Sequence, residues 1–367
     1  MKILRVASNL YPHAVGGLGI HIHEISKEQV RLGHSVTVYA ASKGVESEYK
    51  TNDGYYVRNF KPLTKIFGNS IAPYMFLDLI QEQSNYDIVH AHSHLFLSTN
   101  MSAVARQLGS TPLVITNHGL HSQTAPEWLQ DLYTATGARL TFAAADKILC
   151  YTETEKYELI DLGIKSEKIE VIHNGIDTDL FVPARESCFD KKSLLWVGRY
   201  AKGKGLDYLI EAFSILKKVH SDITLTMIGK GHEKDFIIQK IRDLGLESSI
   251  TMKDFVPNSE IVNMYQNSSI FVLPSLEEGV PRTILEAMSC GIPVVCSRLP
   301  QLVDIVDGCG LLVPVKDSQA LADSILTLLS DSSLAQEFRE NGRKNVVENY
   351  SWKDTVKKTV ELYKELI

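Results

Sequence analysis

Short apolar runs alternate along the chain with longer amphipathic segments. The short runs are rich in valine, isoleucine and leucine and predict β-strands, whereas apolar residues that recur every three or four positions predict helices. In the first half the predicted strands are 3–7, 35–39, 87–90, 113–116, 147–151 and 169–172, and the predicted helices are 20–32 and 152–162. Such alternation is typical of a parallel sheet that is covered by helices.

The same alternation begins again in the second half. It predicts strands at 193–198, 223–228, 270–273 and 293–296, and helices at 206–219, 233–244, 317–329, 334–348 and 352–367. Because 367 residues exceed the usual size of one hydrophobic core, we expect two doubly wound domains. The expected limits are 1–177 and 178–350, with a polar linker at 174–190 and a final helix in 351–367. Ligands bind such sheets at the carboxyl ends of the strands, which here predicts a cleft between the domains.

Composition excludes several classes of protein. Hydrophobic residues make up 44% of the chain and charged residues 22%, as in globular proteins. The net charge is −6, with 15 basic and 18 acidic residues in 1–178 and 23 and 26 in the remainder, so neither half has the basic charge of a nucleic-acid-binding domain. No apolar run approaches the ~20 residues of a membrane span.

The cysteines and the start of the chain bear on the cellular location. Five cysteines, an odd number, occur without a C-x-x-C pair, which favours buried thiols in a reducing compartment. Arg5 interrupts the apolar start, which therefore lacks the apolar region of a signal peptide. We expect a cytoplasmic protein.

Two carboxylates stand eight residues apart, at Glu278 and Glu286. Pro281 suits the first turn of a helix between them, and Gly291 can end that helix. The free amides of a helix N-terminus attract an anion. Glu278 would lie beside that anion, and Glu286 could accept hydrogen bonds from neutral hydroxyls such as those of a ribose. A nucleotide-sugar fits both positions.

A glycine-rich turn after the predicted strand 193–198 carries Arg199 and Lys204. This spacing can direct both cations at one diphosphate, since arginine offers a bidentate fork and lysine a point charge. The alternative is an ordinary basic turn on the surface.

The Glu-x7-Glu element resembles the donor-binding signature of the retaining, GT-B-fold glycosyltransferases of family 4, also called glycosyl transferases group 1. The resemblance implies two Rossmann-like domains that face a central cleft. It also implies that Glu278 meets the transferred sugar, that Glu286 meets the ribose, and that Arg199 and Lys204 neutralise the leaving diphosphate. The segment 173–177, His-Asn-Gly-Ile-Asp, matches the place where this family changes domain.

Other segments match the same family. In the Thr-x-His-Gly segment 116–119, His118 would reach the donor sugar through its ring or its main-chain carbonyl. The remaining donor-binding positions that the resemblance implies are Gly16, Gly17, Gly229, Gly231, Asp254, Phe255, Val256, Gly279, Val280, Pro281 and Arg282. Many members have Phe-Gly-Leu at 280–282, where Pro281 removes one amide donor, so neighbouring amides or Arg282 would take its role.

Nine of the twelve histidines lie between residues 13 and 121. His90, His92 and His94 alternate along a predicted strand and would share one face. A metalloenzyme of the amidohydrolase type would use them as ligands. We expect no metal and no cofactor, because acidic or cysteine ligands at suitable spacing are missing and the resembled family generally needs none.

We therefore expect a hexosyltransferase-type enzyme that moves a sugar from a nucleotide donor to an acceptor hydroxyl with retention. A UDP-sugar is favoured and GDP-mannose comes next; the acceptor is a glycan, a glycolipid or other lipid-linked glycan, or a small molecule. The basic and aromatic stretch 55–67 suggests peripheral contact with the inner face of a membrane, against the alternative of ordinary surface. Two further alternatives are a sugar-nucleotide 2-epimerase and a non-catalytic nucleotide-sugar-binding subunit.

Overall fold

The computed structural model describes residues 1–8, 10, 17–43, 45–66, 68–120, 126–184, 192–278 and 280–367. Over these residues the chain forms two compact units, Met1–Gly175 with Trp352–Ile367, and Ile176–Ser351. The boundaries lie within two residues of the expected limits at 177 and 350. Gly16 and Gly279, two of the predicted donor-binding residues, lie outside the described residues, as does Phe67 of the predicted membrane-facing stretch.

The strands follow the apolar runs. In chain order they are β1 (Lys2–Val6), β2 (Ser35–Ala40), β3 (Glu48–Lys50), β4 (Tyr56–Asn59), β5 (Thr64–Ile66), β6 (Asn69–Ile71), β7 (Ile88–His92), β8 (Leu113–Thr116), β9 (Lys147–Cys150), β10 (Ile169–Val171), β11 (Ser193–Val197), β12 (Thr224–Ile228), β13 (Ile250–Lys253), β14 (Ile270–Leu273), β15 (Val294–Ser297) and β16 (Gly310–Val313).

The helices alternate with these strands and then close the chain. They are α1 (Gly17–Arg31), α2 (Pro73–Glu82), α3 (Leu97–Leu108), α4 (Glu127–Tyr133), α5 (Arg139–Ala144), α6 (Glu153–Asp161), α7 (Leu206–Val219), α8 (Lys234–Asp243), α9 (Asn258–Gln266), α10 (Arg282–Ser289), α11 (Pro300–Val306), α12 (Ser318–Ser330), α13 (Ser332–Asn349) and α14 (Trp352–Leu366). A π-helical turn, Thr134–Ala138, joins α4 to α5.

The first unit is built on a sheet with the strand order β10-β9-β8-β7-β1-β2-β4-β3 in the described residues. Neighbouring strands are parallel except for the antiparallel pair β3 and β4 at one edge. Ile3, Leu4 and Val6 of β1 are fully buried because helices cover both faces of a parallel sheet. The order changes direction at β1, which has β2 on one side and β7 on the other.

The second unit has the parallel strand order β13-β12-β11-β14-β15-β16. This is the order of a Rossmann-like sheet, with β11 as the first strand and a change of direction between β11 and β14. The predicted α/β class with two doubly wound sheets is confirmed. The predicted strands and helices differ from the observed ones by at most three residues at their ends.

Helix α14 belongs to the first unit although it follows the second in sequence. Its Trp352, Val356 and Val360 pack against Ile25 of α1. Further along α14, Tyr363 is fully buried in the core beneath the sheet. Residues 352–367 therefore complete a hydrophobic core that begins with β1. No helix among the described residues is long and apolar enough to cross a membrane.

Candidate active site

The strand ends at the change of direction in the second unit carry the predicted charged residues. Arg199 and Lys204 follow β11, and Glu278 follows β14, the next strand in the sheet. In sheets of this kind a crevice opens outside the carboxyl ends of the two strands where the order reverses. The fold thus brings together residues that are 74 positions apart in sequence, Lys204 and Glu278.

The glycine-rich turn after β11 lies directly against the segment after β14. Gly203 accepts a hydrogen bond from the backbone N–H of Leu276 at 2.8 Å. Gly205 has a left-handed φ of 61°, and a Cβ atom there would lie 2.0 Å from the carbonyl oxygen of Pro274. Only glycine allows this approach, so the turn that carries Lys204 is fixed by backbone contact.

Lys204 and Glu278 form an ion pair. The Lys204 Nζ atom lies 2.5 Å from Oε1 of Glu278, and the Ser275 hydroxyl donates to the same oxygen at 2.7 Å. The two charged side chains are only 19% and 8% exposed, so their attraction is screened less than that of a surface pair. Arg199, at the end of β11, is exposed.

A second glycine turn, after β12, packs on the backbone after β11. A Cβ atom on Gly229 would lie 1.7 Å from the carbonyl oxygen of Gly198, and one on Gly231 would lie 2.2 Å from that of Tyr200. The Tyr200 N–H donates to the carbonyl of Lys230 at 3.0 Å. The predicted glycine positions 229 and 231 therefore serve close backbone packing beside the predicted diphosphate residues.

The segment after β13 contains the predicted base-binding residues Asp254, Phe255 and Val256. Lys234 of α8 forms an ion pair with Asp254, and this hydrogen bond lowers the pKa of the carboxyl below its usual value. Phe255 is 66% exposed, whereas Val256 is buried. The Asp254 side chain is thus already engaged with Lys234.

Helix α10 begins at Arg282, one residue after Pro281, so Pro281 caps the helix and does not occupy its first turn as expected. Val280 packs against the core of the second unit. Tyr265 of α9 donates a hydrogen bond to Oε2 of Glu286 at 2.7 Å, and Nε of Arg282 lies 4.0 Å from Oε1. Burial raises the pKa of Glu286, and Arg282 and Tyr265 oppose this change.

A histidine cluster lies at the strand ends of the first unit. His92 ends β7, His118 follows β8, and His21 lies on α1. Nδ1 of His92 lies 3.2 Å from Nε2 of His118, and the Tyr151 hydroxyl lies 3.1 Å from Nδ1 of His118. Burial holds the pKa values of His92 and His118 well below the usual range for histidine, so both rings are neutral at pH 7.

The prediction that His90, His92 and His94 share one face is right for the first two and wrong for the third. The rings of His90 and His92 are stacked with centroids 4.4 Å apart. Strand β7 ends at His92, and Ser93 has a left-handed φ of 62° that turns the chain away. His94 therefore packs on Tyr133 and Phe142.

Three buried or half-buried imidazoles form a candidate metal site. One ring nitrogen from each of His21, His92 and His118 lies within 4.8 Å of the others. Neutral imidazoles are ligands for zinc and other transition metals.

Gly17, the described part of the predicted Gly-Gly loop, begins α1, and a Cβ atom there would meet nothing within 4 Å.

Sequence reasoning missed several residues that shape both clusters. Ser275 and Tyr265 hold the predicted carboxylates, and Arg5 and Tyr151 contact the histidines. Arg5 left one visible signal, since a charged residue interrupts an otherwise apolar strand. The other three gave no signal because their partners are brought to them only by the fold.

The fold and these strand-end clusters define a glycosyltransferase with the GT-B fold. The family model described as Glycosyl transferases group 1 matches residues 184–345, and the one described as Glycosyltransferase Family 4 matches residues 15–180. Together these two matches span most of both units. The chain belongs to the group 1 glycosyltransferases and is an enzyme of the hexosyltransferase type.

Curated relatives match nearly the whole chain. An uncharacterized glycosyltransferase of Methanocaldococcus jannaschii is 27% identical over 99% of this chain and 98% of its own. The D-inositol 3-phosphate glycosyltransferase of Mycolicibacterium smegmatis is 28% identical over 93% of this chain and 84% of its own.

Solved structures share the fold at lower sequence identity. The Anabaena protein HepE, in complex with UDP, has a TM-score of 0.83 at 21% identity and covers 100% of both chains. Sucrose-phosphate synthase from Thermosynechococcus elongatus has a TM-score of 0.82 at 21% identity, covering 100% of this chain and 98% of its own.

The contact between the glycine-rich turn and Pro274 predicts a difference between two glycines. Gly205 and Gly245 have nearly equal φ values, 61° and 66°, but only Gly205 would place a Cβ atom against backbone. Because the left-handed strain is common to both, Gly205→Ala should lower the free energy of unfolding by about 1–3 kcal/mol more than Gly245→Ala. Urea denaturation of the two variants measures this. Equal losses would show that the turn is not fixed by this contact.

Proposed function

We propose that this enzyme transfers a sugar from a nucleotide-sugar donor to an acceptor hydroxyl with retention of configuration. The observation that carries the proposal is the Lys204–Glu278 ion pair, which is held by backbone contacts at the strand ends where the order of the second sheet reverses. A cation and a carboxylate at this position match the two things that a nucleotide-sugar presents, a diphosphate and a sugar with hydroxyls.

The ion pair suggests how donor binding prepares the site. Lys204 is neutralised by Glu278. A bound diphosphate would compete for the ammonium group of Lys204 and would release Glu278 to accept hydrogen bonds from sugar hydroxyls. Arg199 would supply a second cation, and fixed positive charge at a leaving group is usually a large part of catalysis. The exposed position of Arg199 leaves its guanidinium accessible to a ligand.

The proposed reaction breaks the bond between the sugar C1 and the diphosphate oxygen. The acceptor oxygen forms a bond to C1 on the same face, and its proton passes to the leaving phosphate oxygen, as the family resemblance implies. The roles of Lys204 and Arg199 are electrostatic, because the leaving nucleoside diphosphate gains charge as the bond breaks. This chemistry requires no group outside the donor, the acceptor and the protein.

Glu286 is proposed to bind the ribose. Its Oε2 accepts from Tyr265, and its Oε1 faces Arg282 at 4.0 Å, so the carboxylate is oriented and keeps lone pairs for ribose hydroxyls. His118 is proposed to contact the donor sugar. Since both of its ring nitrogens face protein groups, the main-chain carbonyl is the part of His118 that fits this role better.

The cations of the glycine-rich turn can be tested separately. Lys204→Ala and Arg199→Ala should each lower kcat/KM by about 10²-fold, since each removes a preorganised charge at the leaving group. Lys202→Ala, an exposed lysine in the same turn, is the matched control and should change kcat/KM less than about threefold. Initial rates with labelled donor measure the effect. Near-normal turnover in both the Lys204 and Arg199 variants would refute these roles.

For the donor, a UDP-sugar is proposed ahead of GDP-mannose, based on the family variants that have Pro-Arg at 281–282. UDP at ~100 times its Kd should raise the free energy of unfolding by about 2.7 kcal/mol, and GDP and ADP at the same concentration should give less. A thermal-shift panel measures this, with Lys204→Ala as the control that should weaken the UDP effect. Stabilisation of the protein by GDP but not by UDP would instead assign GDP-mannose as the donor.

We propose that the acceptor is a glycan. If that glycan is carried by a membrane, the stretch 55–67 is the part of the enzyme that would contact the membrane surface. Tyr55 and Phe60 are buried, so they are core aromatics. Arg58 is held by Glu48, Asp78 and Glu82, which corrects the expectation that Arg58 is an available cation.

Apart from Tyr56 on β4, whose ring lies under the Lys50 ammonium, and Thr64, the exposed remainder of this stretch is Lys61, Leu63, Lys65 and Ile66, in and just before β5 of the β5–β6 hairpin. Two cations at about 1 kcal/mol each and two apolar side chains would give weak binding to an anionic surface. Peripheral membrane contact is therefore proposed through this hairpin alone.

Co-sedimentation with anionic vesicles at low salt tests the hairpin. The wild-type protein should sediment in part, and Lys61→Glu with Lys65→Glu should abolish this. Lys357→Glu with Lys364→Glu, two exposed positions on α14, gives the same charge change and should leave sedimentation largely unchanged. Wild-type protein that stays in the supernatant would make a soluble acceptor the better interpretation.

A further inference from the structure

A buried arginine lies beneath the histidine cluster of the first unit. Arg5, in the middle of β1, is 0% exposed. Its Nη2 donates to Oε1 of Gln29 at 2.5 Å, and its Nη1 lies 2.8 Å from Nε2 of His92 and 3.2 Å from Nδ1 of His90. Within the described ranges no carboxylate forms an ion pair with it. The buried cation is therefore solvated by neutral acceptors.

The guanidinium determines which nitrogen of His92 carries its proton. Arginine has donors only, so Nε2 of His92 must accept with its lone pair. A neutral imidazole has one acceptor and one donor, which places the proton of His92 on Nδ1. Nδ1 of His90 likewise accepts from Arg5, so the proton of His90 lies on Nε2, where the hydroxyl of Thr116 is 2.6 Å away as an acceptor.

The proton position on His92 determines the proton position on His118. Nδ1–H of His92 points at Nε2 of His118 at 3.2 Å, so His118 must accept there and carry its own proton on Nδ1. That Nδ1–H can donate to the Tyr151 hydroxyl at 3.1 Å. One buried charge thus orders a chain of three donors, from Arg5 through His92 and His118 to Tyr151, and holds the ring of His118 at both nitrogens.

The same arrangement bears on the candidate metal site. To bind a metal beside His118, His92 would have to offer a lone pair on Nδ1. Its one lone pair is already committed to Arg5 on Nε2, so ligation through Nδ1 would require either loss of the ring proton or its transfer to Nε2, where it would face an N–H of Arg5. The one lone pair of His118, on Nε2, likewise accepts from His92, so fewer imidazoles remain able to bind than the three protein ligands of a usual catalytic zinc site.

We propose that Arg5 is a positioning residue, which fixes the tautomers of His92 and His118, orients the segment 116–119, and prevents the His21–His92–His118 cluster from binding a metal ion. Its catalytic consequence rests on the proposed function, because His118 matters to transfer only if it contacts the donor sugar. The tautomers and the exclusion of metal do not depend on that function.

The tautomers can be measured directly by NMR. Protein with ¹⁵N-labelled histidine should show neutral His92 with its proton on Nδ1 and neutral His118 with its proton on Nδ1, because protonated and unprotonated ring nitrogens differ widely in chemical shift. Arg5→Met, which has a similar length without the charge, should lose this pattern. Arg5→Lys keeps a donor and should restore it for His92. His92 with its proton on Nε2 in the wild-type protein would overturn the proposal.

Metal binding gives a second readout, which a purely structural role of Arg5 would not produce. Arg5→Met should bind Co²⁺ at an additional site with the absorption of a tetrahedral ion, and the wild-type protein should not. Arg5→Met combined with His92→Gln should lose that site, which separates it from ions bound by other histidines. A wild-type protein that binds Co²⁺ through His92 would contradict the proposal, as would an Arg5→Met variant that gains no site.

Kinetics separate this inference from the proposed function. Arg5→Met should lower kcat by about tenfold or more, since small displacements of a positioned group cost up to about 10²-fold. The UDP thermal shift should be unchanged, because the residues proposed to bind UDP belong to the second unit. Altered tautomers with unchanged kcat would remove the catalytic role of His118 and would leave the tautomer assignment intact. A lost UDP shift would indicate misfolding, in which case Arg5→Lys carries the test.

Discussion

Backbone contact at the carboxyl ends of parallel strands is the constraint on which the second unit's site depends. Gly205 approaches the Pro274 carbonyl, and Gly229 approaches the Gly198 carbonyl, at distances that no side chain would permit. The loops after β11, β12 and β14 are therefore fixed relative to one another before any charged side chain is considered. Lys204 and Glu278 can form a short ion pair because the backbone segments that carry them are in direct contact.

The two units compensate the charges of Lys204, which is half-buried, and Arg5, which is buried, in opposite ways. Lys204 has a carboxylate partner, so the pair is neutral and a new anion must compete for the lysine. Among the residues that the structure describes, Arg5 has amide, imidazole and phenol groups around it, so its charge is compensated by dipoles. The first arrangement suits a group that exchanges partners during a reaction. The second suits a group that keeps one arrangement permanently and orders what surrounds it.

Local sequence patterns indicated which residues lie together in the second unit better than they did for the histidine cluster of the first unit. Glycine turns, a helix start and spaced charges are local patterns, and they singled out Lys204, Glu278 and Glu286, of which the fold brings the first two into contact. Arg5 and His92 lie 87 residues apart, and their contact exists because β7 lies beside β1 in the sheet. Strand order of this kind is not readable from periodicity. His94 was misplaced because one residue, Ser93, adopts a backbone conformation that its type rarely takes.

The position of α14 has a consequence for the order of synthesis. Because Trp352 and Tyr363 fill the core of the first unit, that unit lacks part of its interior until the second unit has already left the ribosome. The Tyr363 hydroxyl contacts Nδ1 of His90, so the histidine cluster is also incomplete until then. A nascent chain would therefore expose an unfinished apolar surface around β1 while the later unit folds. Messenger RNA truncated near its 3′ end would give a product with one whole unit and one that chaperones and proteases can recognise.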